Sequence, residues 1–502
     1  MMNLGQKLSD HKHTLFLLLL LLPLFFINIQ NVHNWGDDFA LYLHQAKNIV
    51  EGESPQETGF VYNEDNPIMV GSVSIGFSLM LAPVYAIWHG NIKVYSYYIT
   101  LYLVLAALTI FYFYRKRFPF LLAGLLVLLI AYNRWILQFK YNILSDIPFL
   151  FLLILLFNLF DKKWKNNYVK MIVIGVMAGF LTSVRTLGLV FTLAVMVSVM
   201  FDLVSYRLSA GSCAVDARKK IIGLGLFTII SFGVFKLLNI AFFPDTEHGS
   251  YMGYMQEHNL VSVFVDHLNY YFSYFSTFFN TFKIPLILHI VNIVFVCVFL
   301  ISGFVVKLAR KVEVHEFFFI GYLLVVLAYP ANPGFRYLLP LVPFVFLYMV
   351  EGFQYLAKLL KQNKKHVWAY GFFLFLLFQY EPGIARMTQK EKLAPIYGPQ
   401  LPAAVKVFEF IKENIPDSSV FVFVKPRALS FYTDMNCLAN NKYQRNADTL
   451  DDIYKDLGVD YLLQNVKEIK DSAMIVYLEK FEYKLDLVYE NRRFKLYKFK
   501  AH

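Results

Sequence analysis

The chain has 502 residues, of which 57% are hydrophobic, 18% aromatic and only 17% charged. Soluble domains average about 45–50% apolar and about 25% charged, so an ordinary soluble fold, a disordered chain and a fibrous protein are all excluded. Three widely spaced cysteines (Cys213, Cys297, Cys437) make neither a disulfide framework nor a zinc-ligand spacing. The net charge of +11, which would point to nucleic acid in a soluble protein, fits basic loops between membrane spans here.

A spanning helix takes about 20 mostly apolar residues. The first such run is 14–29, preceded by Lys7 and Lys12. The segment behind it, Asn31-Val32-His33-Asn34-Trp35, offers no small-residue cleavage site, so the run reads as an uncleaved anchor. Further runs lie near 94–114, 118–133, 147–160, 168–183, 187–204, 221–241, 284–306, 314–329, 337–356 and 367–380. The expected class is a polytopic α-helical membrane protein with about 11 transmembrane helices. The shorter apolar stretch 75–88, interrupted by Pro83, reads as an interfacial or re-entrant helix.

Charge sets the direction. With the N-terminus inside, the inner loops hold 20 Lys and Arg, against 7 in the outer loops before the C-terminal region. That asymmetry places the N-terminus in the cytoplasm and, with an odd number of spans, the C-terminus outside. Composition changes after residue 382. The segment 383–502 carries 35 charged residues in 120, against 48 in the first 382. It reads as a soluble extracytoplasmic α/β domain: helix at 403–414, turn at 415–418, strand at 420–424, helix at 448–457, strand at 461–463 and a hairpin over 485–499. Residues 1–382 form the membrane domain, with a long first outer loop at 31–93.

That loop is acidic in a basic protein. Asp37, Asp38, Glu51, Glu53, Glu57, Glu64 and Asp65 face a single Lys47 over residues 31–72. Ala40, Leu41, Leu43, Ala46, Ile49 and Val50 predict an amphipathic helix lying in the membrane interface. Asp38 at its start would be a helix cap on the plainest reading. The adjacent Asp37 repels it, which a cap does not need. A third acid, Asp146, marks the outer end of the fourth span, where Ser145 or Asp146 could equally cap that helix. Arg185 and Arg336 are cations at the outer membrane face, where the positive-inside rule disfavours them. Each is either a snorkelling anchor or half of an anion clamp at headgroup depth. Acids and cations on one face suit one chemistry. A carboxylate takes a proton from an acceptor, the acceptor attacks an activated carbon, and positive charge stabilises the leaving phosphate. Nucleotide-sugar donors are cytoplasmic, so a donor used outside must ride on a lipid.

Gly36-Asp37-Asp38-Phe39-Ala40-Leu41-Tyr42 resembles the first-loop motif of GT-C glycosyltransferases. The branch it resembles is the family 39-like one, with the protein O-mannosyltransferases and the aminoarabinose transferase of lipid A. Ile75–Tyr85, Leu144–Pro148, Ser183–Gly188, Phe335–Pro343, Lys425-Pro426-Arg427 and Phe494–Tyr497 are similar to that branch in the same order. The resemblance implies an inverting transfer of a sugar from a polyprenyl-phosphate donor to an acceptor glycan, lipid or protein. It would act from the cytoplasmic (inner) membrane of the cell envelope, with membrane lipids as neighbours and no nucleic-acid partner. It implies Asp38 as general base, with Asp37 and Asp146 as the other catalytic acids, and Tyr42, Glu64, Lys140, Arg185, Arg336 and Tyr337 as substrate-binding residues. Two departures stand out: Phe39 follows Asp38 where the branch usually has a second acid, and Asp65 follows Glu64 where it has a lysine. Phosphate binding would then fall to Arg336, Arg185, Lys140 or a divalent metal ion held by Glu64 with His248, His258 or His267; a structural role is the alternative for each histidine. The competing functions are a lipid-linked polysaccharide polymerase or ligase and a lipid-linked-glycan transporter or flippase. The first usually has a long late outer loop with paired arginines, which this chain lacks. Against the second, midplane charges are few, Lys236 being the clearest.

Overall fold

The computed structural model describes residues 4–62, 74–208, 214–243, 260–279, 286–332, 334–360, 370–373, 398–439, 446–467 and 472–500. Glu64, Asp65, His248 and His258, and most of the run at 367–380, lie outside the described residues. The chain forms two compact units, one comprising residues 1–29, 95–238 and 258–393, the other residues 30–94, 239–257 and 394–502.

The first unit is helical. Among the described residues six helices are long and apolar enough to cross a membrane: Ile92–Arg115, Asn167–Val184, Thr186–Val204, Ala217–Phe242, His289–Arg310 and Gly334–Leu359. Shorter apolar helices include Lys12–Phe25, Phe120–Ala131 and Val314–Ala328, and Asp146–Asp161 is a further apolar helix. Many apolar side chains face outward, among them Ile229, Leu237, Leu286 and Ile301. Such a continuous apolar exterior suits lipid and not water. Inside, Phe157 packs against Phe191, Phe318 and Phe344, and the Tyr114 hydroxyl donates to the Pro343 carbonyl, 2.7 Å away. The helices Leu286–Arg310 and Val342–Leu359 meet at glycine. A Cβ on Gly303 would lie 1.8 Å from the Tyr348 carbonyl oxygen, and one on Gly352 2.0 Å from that of Phe299. Small residues let the two backbones touch, as they do in membrane helix pairs that lack a hydrophobic driving force.

The second unit is α/β. Its six strands are β1 (Phe60–Val61), β2 (Val420–Phe423), β3 (Asn436–Ala439), β4 (Tyr461–Asn465), β5 (Leu485–Glu490) and β6 (Phe494–Phe499), in the sheet order β1-β3-β2-β4-β6-β5. The pairs β1-β3, β3-β2 and β2-β4 are parallel, and β6 pairs antiparallel with both β4 and β5. The central run Val-Phe-Val-Phe of β2 is apolar throughout because both faces of a parallel sheet are covered. On one face Val422, Leu438 and Leu462 pack with Leu450, Tyr454, Met474 and Tyr477 from the helices Ala447–Asp456 and Ser472–Phe481. Phe423, next to Val422, points to the other face. There it meets Trp35, which also touches Phe408 and Phe494.

The unit joins chain segments that the division at residue 382 keeps apart, because β1 of the first outer loop completes the sheet. The helix Asp37–Glu51 is present as its periodicity predicts, but it is enclosed rather than laid on an interface. Phe39 through Ala46 are all buried, and the helix packs on Gly76–Trp88 and Pro426–Thr433. The Ser78 hydroxyl donates to Gln45 at 2.7 Å across the first of these contacts.

Candidate functional site

In the second unit the site centres on the two aspartates. The Asp37–Glu51 helix is capped by the backbone of Gly36, which is itself held by the Asn34 side chain at 2.9 Å. Asp37 and Asp38 therefore occupy the first turn, not the cap, and both sit where the helix dipole favours negative charge. Their environments differ. Asp37 has a side chain only 10% exposed, and its Oδ1 accepts the Ala428 N–H at 3.3 Å. It thus serves the orphan amides at the start of the Pro426–Thr433 helix, a cap supplied from a distant part of the chain. Burial raises its pKa, against the pull of Arg427 and Lys425. Asp38 is 38% exposed and its Oδ1 accepts from Arg427 Nη1 at 3.4 Å.

Arg427 binds the pair together. It is buried, its Nε lies 3.9 Å from Asp37 Oδ2, and its guanidinium lies over the Phe60 ring at 5.4 Å. One cation between two carboxylates offsets their repulsion, and Asp38 is the more exposed of the two acids. Tyr42, one turn on from Asp38, stands edge-on to Phe77 at 4.8 Å.

In the first unit Asp146 accepts a short hydrogen bond from Arg185 Nη1, and Arg336 Nε lies 3.3 Å from its Oδ2. The carboxylate is 2% exposed, Arg185 9% and Arg336 21%. Local backbone geometry delivers both cations. The Asn167–Val184 helix stops at Arg185, which turns extended, and the chain re-enters helix through Thr186–Gly188. Gly188 is required there, since a Cβ would fall 2.7 Å from the Thr182 nitrogen. Arg336 sits in a 3₁₀ run, Gly334–Leu341, opened by Gly334 at φ 78°, whose N–H donates to the Tyr270 hydroxyl. Tyr337, from the same run, lies under the Arg185 guanidinium at 5.0 Å. Two guanidinium groups thus meet at one carboxylate, and their planar forks are the donors best matched to oxyanions.

Phe335 and Leu338, the neighbours of Arg336 and Tyr337, help line an apolar cavity of 460 Å³ with Phe272, Phe275, Phe279 and Leu323. Lys140 is brought elsewhere. Fully buried, its ammonium donates to the Asn28 carbonyl and the Thr100 hydroxyl, both at 3.3 Å, and among the described residues it has no carboxylate partner. Burial pushes its pKa down to about 7.

The metal set built on Glu64, His248 and His258 lies outside the described residues. Among the described residues one trio, Glu313, His315 and Glu316, has ligand atoms within 4.8 Å of one another. Its carboxylates are already engaged: Glu313 and Glu316 form a reciprocal helix cap, Lys307 and Lys311 pair with Glu313, and Tyr348 donates to Glu316. It lies among the basic loops assigned to the inner face. Sequence reasoning missed Arg427 as a site residue. The signal was the Lys425-Pro426-Arg427 similarity; what hid it is the 389-position separation from Asp38.

Comparison with known folds places the whole chain. The oligosaccharyltransferase AglB of Archaeoglobus fulgidus, solved with an inhibitory peptide and a dolichol-phosphate, superposes with a TM-score of 0.57 at 13% identity, over 99% of this chain and 75% of that one. ArnT of Cupriavidus metallidurans, bound to undecaprenyl phosphate, gives 0.57 at 10% identity, over 97% and 98%. The Archaeoglobus fulgidus oligosaccharyltransferase with Zn and sulfate gives 0.56 at 13% identity, over 97% and 73%. No family model and no curated protein matches the sequence. The chain has the fold of GT-C glycosyltransferases.

Proposed function

We propose that this chain is a membrane glycosyltransferase that moves a sugar from a polyprenyl-phosphate donor to an acceptor on the extracytoplasmic face, with inversion at the anomeric carbon. The observation that carries the reading is the convergence of two guanidinium groups, Arg185 and Arg336, on Asp146, set next to residues that line an apolar cavity. A lipid phosphate presents that combination: an anionic head on an apolar tail. Likeness over nearly all of this chain to AglB and ArnT, solved with dolichol-phosphate and undecaprenyl phosphate, supports the same donor class.

Each unit then has its own task. Asp38, the open member of the acid pair, takes the proton from the acceptor hydroxyl or amine. The acceptor's lone pair forms the new bond to the anomeric carbon while the carbon–oxygen bond to phosphate breaks. The leaving polyprenyl phosphate carries the charge that Arg185 and Arg336 offset. Asp37 and Arg427 are positioning residues for Asp38, and Asp146 is a positioning residue for the arginines. Tyr337 stacks on Arg185, and Tyr42 packs behind the acid pair. Lys140 stays in the proposal as a further phosphate ligand, although its ammonium is engaged by the Asn28 carbonyl and the Thr100 hydroxyl. A divalent ion held by Glu64 with His248 or His258 stays part of the proposal. About 11 spans, a cytoplasmic N-terminus and an extracytoplasmic C-terminal domain in the inner membrane complete it.

A screen of polyprenyl-phosphate sugars with membranes carrying the wild-type chain tests the function directly. Product that appears with one lipid-linked sugar and disappears in Asp38→Asn supports the proposal; unchanged transfer in Asp38→Asn overturns it.

A further inference from the structure

At the far end of the Asp37–Glu51 helix the second unit carries a polar cleft of 530 Å³, well inside the size range of small-molecule sites. Along the helix its lining residues, His44 to Glu51, lie about 9 to about 20 Å from Asp38. Its walls are acidic: Glu51, Glu53, Glu57 and Asp434 stand with one lining cation, Lys47, and Lys412 approaches Asp434 at 3.8 Å. Lys47 is already paired with Asp434 at 2.6 Å, so its charge is spent. The C-terminal end of the helix adds its own negative pole.

The cleft is built, not incidental. Asn48, almost fully buried, donates to the carbonyls of Ser54 and Glu57 at 2.9 and 2.7 Å and so fixes the loop that walls it. Gly59 anchors the end of that loop. Its carbonyl accepts from the Cys437 N–H at 2.7 Å and the Ser430 hydroxyl at 3.2 Å, and at φ 64° a Cβ would lie 2.7 Å from the Met435 oxygen. Two of the lining residues, His44 and Thr58, are 5% and 2% exposed. Yet His44 Nδ1 and Thr58 Oγ1 have no hydrogen-bond partner among the described residues. A buried polar group left unpaired costs about 1–3 kcal/mol, and native structures keep few of them without a reason. Burial holds His44 neutral, with a pKa down at about 4, so one of its nitrogens is an acceptor at neutral pH.

We infer that this cleft is a binding subsite for an ammonium-bearing, polyhydroxylated ligand, of which an amino sugar is the simplest member. The spread carboxylates take the ammonium, and the unpaired hydroxyl and imidazole take ligand hydroxyls. A bare metal ion fits less well, because among the described residues no His-carboxylate trio in this unit brings its ligand atoms within 4.8 Å. The inference stands apart from the transfer reading, since it concerns binding alone.

The test is calorimetric titration of the purified full chain in nanodiscs with a fully deacetylated glucosamine tetramer at pH 6.5. The controls are the N-acetylated tetramer, ethanolamine and calcium chloride. The glucosamine tetramer should bind in preference to all three. Thr58→Val and the double change Glu51→Gln with Glu57→Gln should each weaken it at least tenfold while thermal unfolding stays within a few degrees. Binding should persist in Asp38→Asn, which separates this site from the acid pair. Equal binding of the N-acetylated tetramer, saturation by ethanolamine or calcium alone, or variants that bind as wild type would overturn it.

Discussion

Arg427 reaches both carboxylates of the first outer loop, Asp38 at 3.4 Å and Asp37 at 3.9 Å, from a position 389 residues downstream. The two acids share one cation but not one environment: Asp37 is buried and accepts the Ala428 N–H, and Asp38 is the more exposed.

That division predicts different losses. Asp38→Asn should lower transfer at least a hundredfold, the usual scale of a lost general base, with unfolding temperature preserved. Asp37→Ala should lower stability, by about 1 kcal/mol for the lost cap, along with activity. Parallel thermal melts and transfer assays of the two variants check this; equal melting with equal activity loss would contradict it.

Arg427→Gln should reduce transfer through Asp38 rather than through substrate affinity. The expected signature is a fall in kcat with KM nearly unchanged. A KM rise alone would instead make Arg427 a substrate ligand.

Asp146→Ala leaves two guanidinium groups without their carboxylate. Removing one partner of a buried pair costs about 3–5 kcal/mol, so the variant should express poorly or melt early. Arg336→Lys keeps the charge but loses the planar fork and should raise the KM for the lipid-linked donor several-fold. An unchanged donor KM would remove Arg336 from the donor site.

His33 and His44, both buried in the second unit, have pKa values lowered to about 4. A group whose folded pKa is depressed below the unfolded 6.5 resists protonation when folded. Its contribution is therefore complete above pH 6.5 and is lost as pH falls toward 4. Each should cost roughly 2 kcal/mol by pH 5. Fluorescence-detected melting, with Trp35 as the buried reporter in that unit, should show the loss between pH 7 and pH 5. A flat profile would refute the assignment.

Orientation needs a different reporter from Cys437, which is fully buried within β3. An Asp417→Cys change places the label on an exposed turn. It should react with an impermeant maleimide in intact cells; labelling only after lysis would reverse the topology.

Much of this was legible from local pattern. The strands at 420–424 and 461–463, the 485–499 hairpin, and the helices at 403–414 and 448–457 each appear within a residue or two of the ranges read from periodicity. What escaped was non-local. β1 is two residues long, too short to have a period, and exists because Cys437 and Leu438 pair with it. The Pro426–Thr433 helix is nearly all buried, so it lacks the polar stripe that marks a surface helix. The acid pair was visible as sequence, but the difference between Asp37 and Asp38 was not, since it depends on which one meets Ala428.

The lateness of Arg427 has a consequence for biosynthesis. A ribosome adding about 5–20 residues per second delivers it roughly 20–80 s after Asp38. Until then the helix bearing the two acids has no sheet to dock on and no cation between its charges. A chain that stalls or is clipped before residue 426 carries all the membrane helices described above and no finished acid pair. Completion of the acid pair thus waits on synthesis of the chain that builds the sheet.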